Sequence, residues 1–123
     1  IQKIVFTTRY RNKDHKALQQ VIDFANRINA KIKCLHVRTA ESDVQESVIE
    51  KWRKDFEHDS VSFFTIPDND VETTVFDFIT SQEIDVLAML TYKRSFFQEL
   101  FRESLAKKMT YHTEIPLLVL HEN

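Results

Sequence analysis

Glycine is absent from all 123 residues, where an average usage of about 7% would place about nine. Any backbone position that needs positive φ must therefore fall to Asn or Asp, or be avoided. A phosphate loop built on bare backbone N–H groups has no material here. Proline is scarce as well, with Pro67 and Pro116 alone, and no Gly/Ser-rich linker or repeat divides the chain. It reads as one domain, residues 1–123, long enough for one core. The single cysteine, Cys34, excludes an internal disulfide framework and fits a reducing, cytoplasmic compartment. No apolar run approaches the roughly 18 residues that span a bilayer, and the opening Ile1-Gln2-Lys3-Ile4-Val5-Phe6 reads as a strand, not a secretory signal. A formal net charge of −2 argues against a nucleic-acid footprint. The chain starts at Ile1 and not at methionine, which is compatible with one half of a longer, tandem protein.

What is present is an alternation of short β-branched runs with amphipathic stretches. Residues 3–8 read as a strand buried on both faces. A helix then runs to about Ile28, with Leu18, Val21, Ile22, Ala25 and Ile28 on one stripe, and Asn29 stands in for glycine just past its end. Residues 31–37 form a second strand. Ser42 and Gln45 have capping-box spacing and are expected to open a helix with Val44, Val48, Trp52 and Phe56 inward. The carboxylates Glu41, Asp43, Glu46 and Glu50 are read as part of that helix's solvent face. Residues 61–66 form a third strand, closed by Pro67-Asp68-Asn69. Asp70 is placed to cap a helix that carries Val75, Phe76 and Ile79 inward. Residues 85–90 give a fourth strand, residues 98–112 a last helix, and residues 116–121 a fifth strand. Strands alternating with helices of this length imply right-handed crossovers and a parallel sheet covered on both faces. Ligands then belong at the carboxyl ends of the strands, where the winding reverses.

Two segments carry a family resemblance. Lys3-Ile4-Val5-Phe6-Thr7-Thr8, a long helix and then Ala30-Lys31-Ile32-Lys33-Cys34-Leu35-His36-Val37 form the first. Ile84-Asp85-Val86-Leu87-Ala88-Met89, Ser104-Leu105-Ala106-Lys107-Lys108-Met109 and Ile115-Pro116-Leu117-Leu118-Val119-Leu120 form the second. In order and spacing these resemble the universal stress protein family over essentially the whole chain. The resemblance implies a doubly wound sheet of the adenine-nucleotide alpha-hydrolase type, strand order 3-2-1-4-5.

Members of that family that bind ATP resemble one another in a glycine loop after the fourth strand, G-x2-G-x9-G-[S/T]. Its glycines let backbone N–H groups close on the phosphates, and a helix N-terminus adds its dipole. Here those positions fall on Leu90, Lys93 and Glu103, with Ser104 at the hydroxyl position, and the acidic residue expected after the first strand falls on Arg9. Side chains crowd the loop and Glu103 repels phosphate, so a triphosphate site is not expected and no cofactor is assigned. Arg9, Val37, Lys93, Arg94 and Ser104 remain the candidate ligand residues. The basic groups among them, with Arg11 and Lys13, would hold an anion as point charges or Arg forks. The loop aromatics Tyr10, Tyr92, Phe96 and Phe97 would either line that cleft or pack onto the core edge.

No catalytic residue is assigned. The five histidines, His15, His36, His58, His112 and His121, include no zinc spacing, and no metal is expected. His36 and Cys34 read as packed residues on one face of a central strand. A response-regulator receiver would need carboxylates after the first strand, and a flavodoxin a glycine-rich phosphate loop; neither is here. The resemblance also places the fifth strand at a sheet edge, where its apolar residues Leu117, Leu118, Val119 and Leu120 offer an association surface. The expectation is a non-catalytic domain in a stress response that acts through a homodimer or a tandem partner domain. The alternatives are a nucleotide-binding domain of AMP or ATP type with a remodelled basic pocket and weak ATPase activity, and a small-molecule sensor using the aromatic loops.

Overall fold

The computed structural model describes residues 2–91 and 116–121. Eight elements follow one another: β1 (Lys3–Thr7), α1 (Asn12–Ile28), β2 (Lys31–Arg38), α2 (Glu46–Asp55), β3 (Val61–Pro67), α3 (Val71–Ser81), β4 (Val86–Thr91) and β5 (Leu117–His121). The strands form one sheet in the order β3-β2-β1-β4-β5, and every pairing is parallel. The winding leaves β1 in one direction through β2 and β3, and in the other through β4 and β5. The reversal therefore lies between β1 and β4. The helix expected over residues 98–112 lies outside the described residues.

Strand periodicity splits the core into two layers. Ile4, Phe6, Ile32, Cys34, Val86 and Ala88 face α1 and α2, packing on Leu18, Val21, Ile22, Ile49 and Trp52. Val5, Leu35 and Leu87 face the other way, onto Val75, Phe78 and Ile79 of α3. Residues 4–6 of β1 are inaccessible to solvent, as a central strand with helices on both faces requires. The Asp85 carboxylate fixes the register of this strand by accepting from the backbone N–H groups of Gln2 (2.8 Å) and Lys3 (3.0 Å). Those two bonds, led by the one from Gln2, hold its pKa below the ordinary carboxylate value.

The helix ends show how the chain manages without glycine. Asn29 closes α1 in the left-handed region, at φ 57° and ψ 44°, and Ala30 N–H reaches back to Ala25 O at 2.8 Å. Glu83 does the same after α3 at φ 53°, with Ile84 N–H on Ile79 O at 3.0 Å. Asp70 caps α3, accepting from Thr73 N–H at 3.1 Å and Thr73 Oγ1–H at 2.7 Å.

The second helix departs from expectation. It starts at Glu46, and Ser42 does not cap it: its hydroxyl accepts from Thr39 N–H at 2.9 Å, folding a tight turn after β2. With the start shifted, Ile49 takes the inward position and Val48 points out, 36% exposed. In α3 the fully inward aromatic is Phe78, and Phe76 is only half-buried.

Asn29 supports a direct test. Replacing it with Ala forces a Cβ-bearing residue without a polar side chain into the left-handed region, at a cost of about 1 kcal/mol. Asn29→Gly should leave the melting temperature unchanged or raise it, whereas Asn29→Ala should lower it by a few degrees.

Candidate functional site

The carboxyl ends of β1, β2 and β4 open into a cleft of ≈ 760 Å³, within the roughly 300–1,000 Å³ typical of small-molecule sites. Leu35, Val37, Val71, Val75, Met89 and Leu90 supply its apolar lining. Three loops supply the polar rim: residues 7–14, residues 39–44 and residues 69–72.

The first loop is organised by a buried carboxylate. Asp14, in the first turn of α1, is 2% exposed. Its Oδ2 accepts from Thr8 Oγ1–H (3.0 Å), Arg9 N–H (3.1 Å) and Arg11 N–H (3.3 Å). Thr8 Oγ1 in turn accepts from Tyr10 N–H at 2.9 Å. This knot holds Tyr10 at φ 59°, a costly conformation for an aromatic residue, and turns its ring away from the cleft. The ring packs edge-on against His36 and Trp52, with centroids 5.4 and 4.8 Å away. Tyr10 thus belongs to the core; Tyr92, Phe96 and Phe97 lie outside the described residues.

The second loop is tied at both sides. Arg11 pairs with Asp43 at 3.5 Å, and Ala40 N–H donates to Asn69 Oδ1 of the third loop at 2.9 Å. Glu41 and Asp43 sit in this loop, on the cleft rim, because α2 starts later than its sequence pattern suggested. They are not part of a helix's outer face.

His36 lines the cleft from β2 and is 3% exposed. Its Nδ1 lies 2.9 Å from Thr8 O. A carbonyl only accepts, so Nδ1 carries the proton and Nε2 is left as an acceptor. That Nε2 has no hydrogen-bond partner among the described residues. Burial pulls the pKa of His36 below 6.5, against the opposing effect of the Thr8 bond. The neighbouring Cys34 is buried, and burial pushes its thiol up, out of the range where a thiolate forms. Tyr10 Oη also lacks a well-formed hydrogen bond; the weakly polar Cys34 thiol lies beside it.

Arg9 and Val37 both line the cleft, Arg9 from the loop after β1 and Val37 from β2. Lys93, Arg94 and Ser104 lie outside the described residues. The sequence reading concentrated on bases at this end of the sheet and missed the acids. Among the described residues the cleft is lined by five carboxylates (Asp14, Glu41, Asp43, Asp70 and Glu72) against Arg9 and Arg11. No group of three metal-ligating side chains occurs among the described residues, and no helix among them is long and apolar enough to cross a membrane. β5 ends the sheet next to β4, and Leu117, Leu118 and Leu120 are half-buried there.

Two measurements probe this loop and its histidine. Asp14→Ala strands three donors, and loss of a buried charged acceptor should cost about 2–4 kcal/mol, read as a lowered denaturation midpoint. His36 should give the fold a pH dependence of definite sign. Its depressed folded pKa means that the unfolded chain protonates first as pH falls. Its contribution is therefore complete above about 6.5 and declines below that value. A melting temperature that falls between about pH 7 and 5, with a shallower fall in His36→Phe, is the expected result.

No family model matches the sequence, and no curated protein matches it. Solved structures do match over its full length. A universal stress protein in complex with cAMP superposes with a TM-score of 0.70 at 10% identity, covering 99% of this chain and 98% of that one. The universal stress protein from Archaeoglobus fulgidus in complex with dAMP gives 0.63 at 10% identity, covering 97% of each. A universal stress protein from Archaeoglobus fulgidus DSM 4304 gives 0.69 at 8% identity, and there this chain spans only 44% of the other's length. Taken with the parallel sheet in the order 3-2-1-4-5 and the cleft at its point of reversal, these matches give the chain the universal stress protein fold.

Proposed function

We propose that this chain is a non-catalytic domain of the universal stress protein type that does not hold ATP and acts by association through β5. The observation that carries the first part is the complete lack of glycine in a chain whose cleft is lined, among the described residues, by more carboxylates than cations. A triphosphate needs close backbone approach and compensating positive charge. Neither the composition nor the described lining favours it.

The association surface follows from strand order. β5 forms a sheet edge, and an edge strand presents backbone donors and acceptors to any chain that can extend the sheet. Leu117 packs toward the α3 layer and Leu118 and Leu120 toward the α1 layer, so both core layers reach this edge. A second copy or a tandem domain pairing there would continue the sheet. The match to a protein of more than twice the matched length is compatible with the tandem form.

A second reading places an adenosine monophosphate in the same cleft, held by Arg9 with Lys93 and Arg94. The neighbours solved with cAMP and dAMP favour it. It predicts a nucleotide-induced rise in melting temperature that disappears on charge reversal of Lys93 or Arg94.

The two parts of the main reading are tested on the intact chain. A ligand at 100 times its Kd stabilises a fold by about 2.7 kcal/mol, so millimolar ATP with magnesium should leave the melting temperature unchanged. Sedimentation at micromolar protein should show a dimer that Val119→Asp dissociates while circular dichroism stays native. A folded monomer at high micromolar concentration refutes β5 self-association, and a clear ATP shift refutes the lost triphosphate site.

A further inference from the structure

β3 ends the sheet on the side away from β5. Its register with β2 runs from Ile32 opposite Val61 to Arg38 opposite Pro67. Ile32 N–H on Ser60 O and Asp68 N–H on Arg38 O, both at 2.9 Å, continue that ladder at its two ends. In a parallel ladder of this register the backbone groups of Ser62, Phe64 and Ile66 turn toward β2, and those of Val61, Phe63, Thr65 and Pro67 turn away. Val61 N–H is taken by Asp59 O at 2.8 Å, and proline has no N–H to offer. The outer edge therefore presents two donors, Phe63 N–H and Thr65 N–H, with the carbonyls of Val61, Phe63 and Thr65 between and beside them. No backbone partner meets these groups among the described residues. Devices that blunt such an edge are missing. The strand runs for seven residues, holds no Lys or Arg and keeps its register without a bulge. Its side chains are half covered, Val61 and Phe63 in the α1 and α2 layer and Phe64 and Ile66 in the α3 layer. One more strand would extend both layers.

Charge decides which strand fits. Asp59, just before β3, and Asp68, directly after it, are exposed and bracket the edge. Beside them, Glu57 pairs with His58 at 3.4 Å and Asp70 caps α3. On β2, Lys33 is drawn toward α3: its Nζ lies 5.7 Å from the Phe64 ring centroid and donates to Gln82 Oε1 at 2.6 Å. Arg53 and Lys54 belong to the last turn of α2, where Arg53 pairs with Glu50 at 3.1 Å. A second copy of β3 laid along this edge, in either direction, would set acid against acid at both ends. Like charges opposite one another in a sheet destabilise the pairing, and opposite charges support it. The edge therefore rejects its own copy and favours a strand with a basic residue at each end.

We propose that the outer edge of β3 binds, by strand addition, an extended segment of a partner protein. That segment carries Lys or Arg at both ends of a β-forming run matched to the seven residues of β3. Backbone bonds to Phe63 and Thr65 attach it, and Asp59 and Asp68 select it. This goes beyond the association role of β5 and uses the opposite edge of the sheet, so either surface can fail without the other.

Two peptides test it: Lys-Val-Thr-Val-Thr-Val-Thr-Val-Lys, blocked at both termini, and the same peptide with Glu at both ends. Calorimetry on the intact chain at low salt should show saturable binding of the lysine-ended peptide, tighter than the glutamate-ended one by about tenfold. Amide hydrogen exchange locates the contact: Phe63 and Thr65 N–H should exchange fast in the free chain and become protected when the peptide binds. Thr65→Pro removes an outward donor and spares the ladder to β2, since an edge strand tolerates proline where its N–H faces solvent. It should weaken the lysine-ended peptide by about tenfold. Asp59→Lys/Asp68→Lys should reverse the preference, so that the glutamate-ended peptide binds more tightly, with circular dichroism native; this reversal decides whether or not the proline variant folds. No binding of either peptide, equal binding of the two, or protection at β5 in place of Phe63 and Thr65 would each overturn the proposal. So would a natively folded Thr65→Pro chain that binds unchanged, or a charge-reversed chain that still prefers the lysine-ended peptide.

Discussion

The Asp14 carboxylate is the point on which cleft and core both depend. Three donors from the loop after β1 converge on one of its oxygens, and without them residues 8–11 have no reason to turn so sharply. The turn sends Tyr10 beneath α2, where its ring meets Trp52. Trp52 continues into Phe56 and into His15 of α1, and His15 Nε2 lies 2.9 Å from Asp55 of α2. A short helix with an uncapped N-terminus and much exposed polar surface has little stability of its own. It is held by this aromatic run, and the run begins at a backbone conformation that Asp14 imposes.

The same carboxylate bears on recognition. A phosphate-binding version of this fold leaves a helix N-terminus open, with glycine beside it, so that backbone N–H groups close on the ligand. Here Asp14 and Asp70 close the two N-termini bordering the described cleft, and Asp43 answers Arg11. Each is a local contact of modest energy. Their joint effect is that an anion gains only what remains after displacing an internal rival, or after facing its repulsion. Local stability and ligand charge are thereby coupled: the groups that fold the loops also set what the cleft can accept.

The sheet was legible in the sequence because central strands buried on both faces read as short apolar runs, and residues 4–6 and 86–90 are such runs. Asn29 and Asp70 were legible because their tasks, a left-handed residue and a helix cap, leave few other candidates once glycine is gone. The second helix was misplaced for a physical reason. A serine hydroxyl serves an ST turn as well as an N-cap, and Ser42 to Gln45 spacing does not say which. That shift turned Val48 outward and moved Glu41 and Asp43 from an assumed solvent face to the cleft rim. The acidic lining was invisible because its members come from the first turns of α1 and α3 and from the loops before α2 and α3, far apart in sequence. The unpaired Nε2 of His36 depends on which ring nitrogen meets Thr8 O, a tertiary fact that no pattern in β2 encodes.

Positive φ in a residue that carries a Cβ has to be supported by that residue's surroundings. Among the described residues three adopt it: Tyr10, Asn29 and Glu83. Two of them solve one problem, closing α1 and α3, where the N–H of the following residue reaches back to a carbonyl of the last turn. Their conformational cost, about 1–2 kcal/mol for a residue with a Cβ, is offset by carbonyls that would otherwise lack a donor. Tyr10 closes no helix. Its conformation is held by the Thr8 and Asp14 bonds and by a ring buried among Trp52 and His36. Of the three, it is the one whose strain sits in the loop that forms the cleft. Strain persists where its surroundings over-determine it and tends to collect at functional sites. On that ground the loop from Thr8 to Asp14 is where selection on this chain's cleft should be sought.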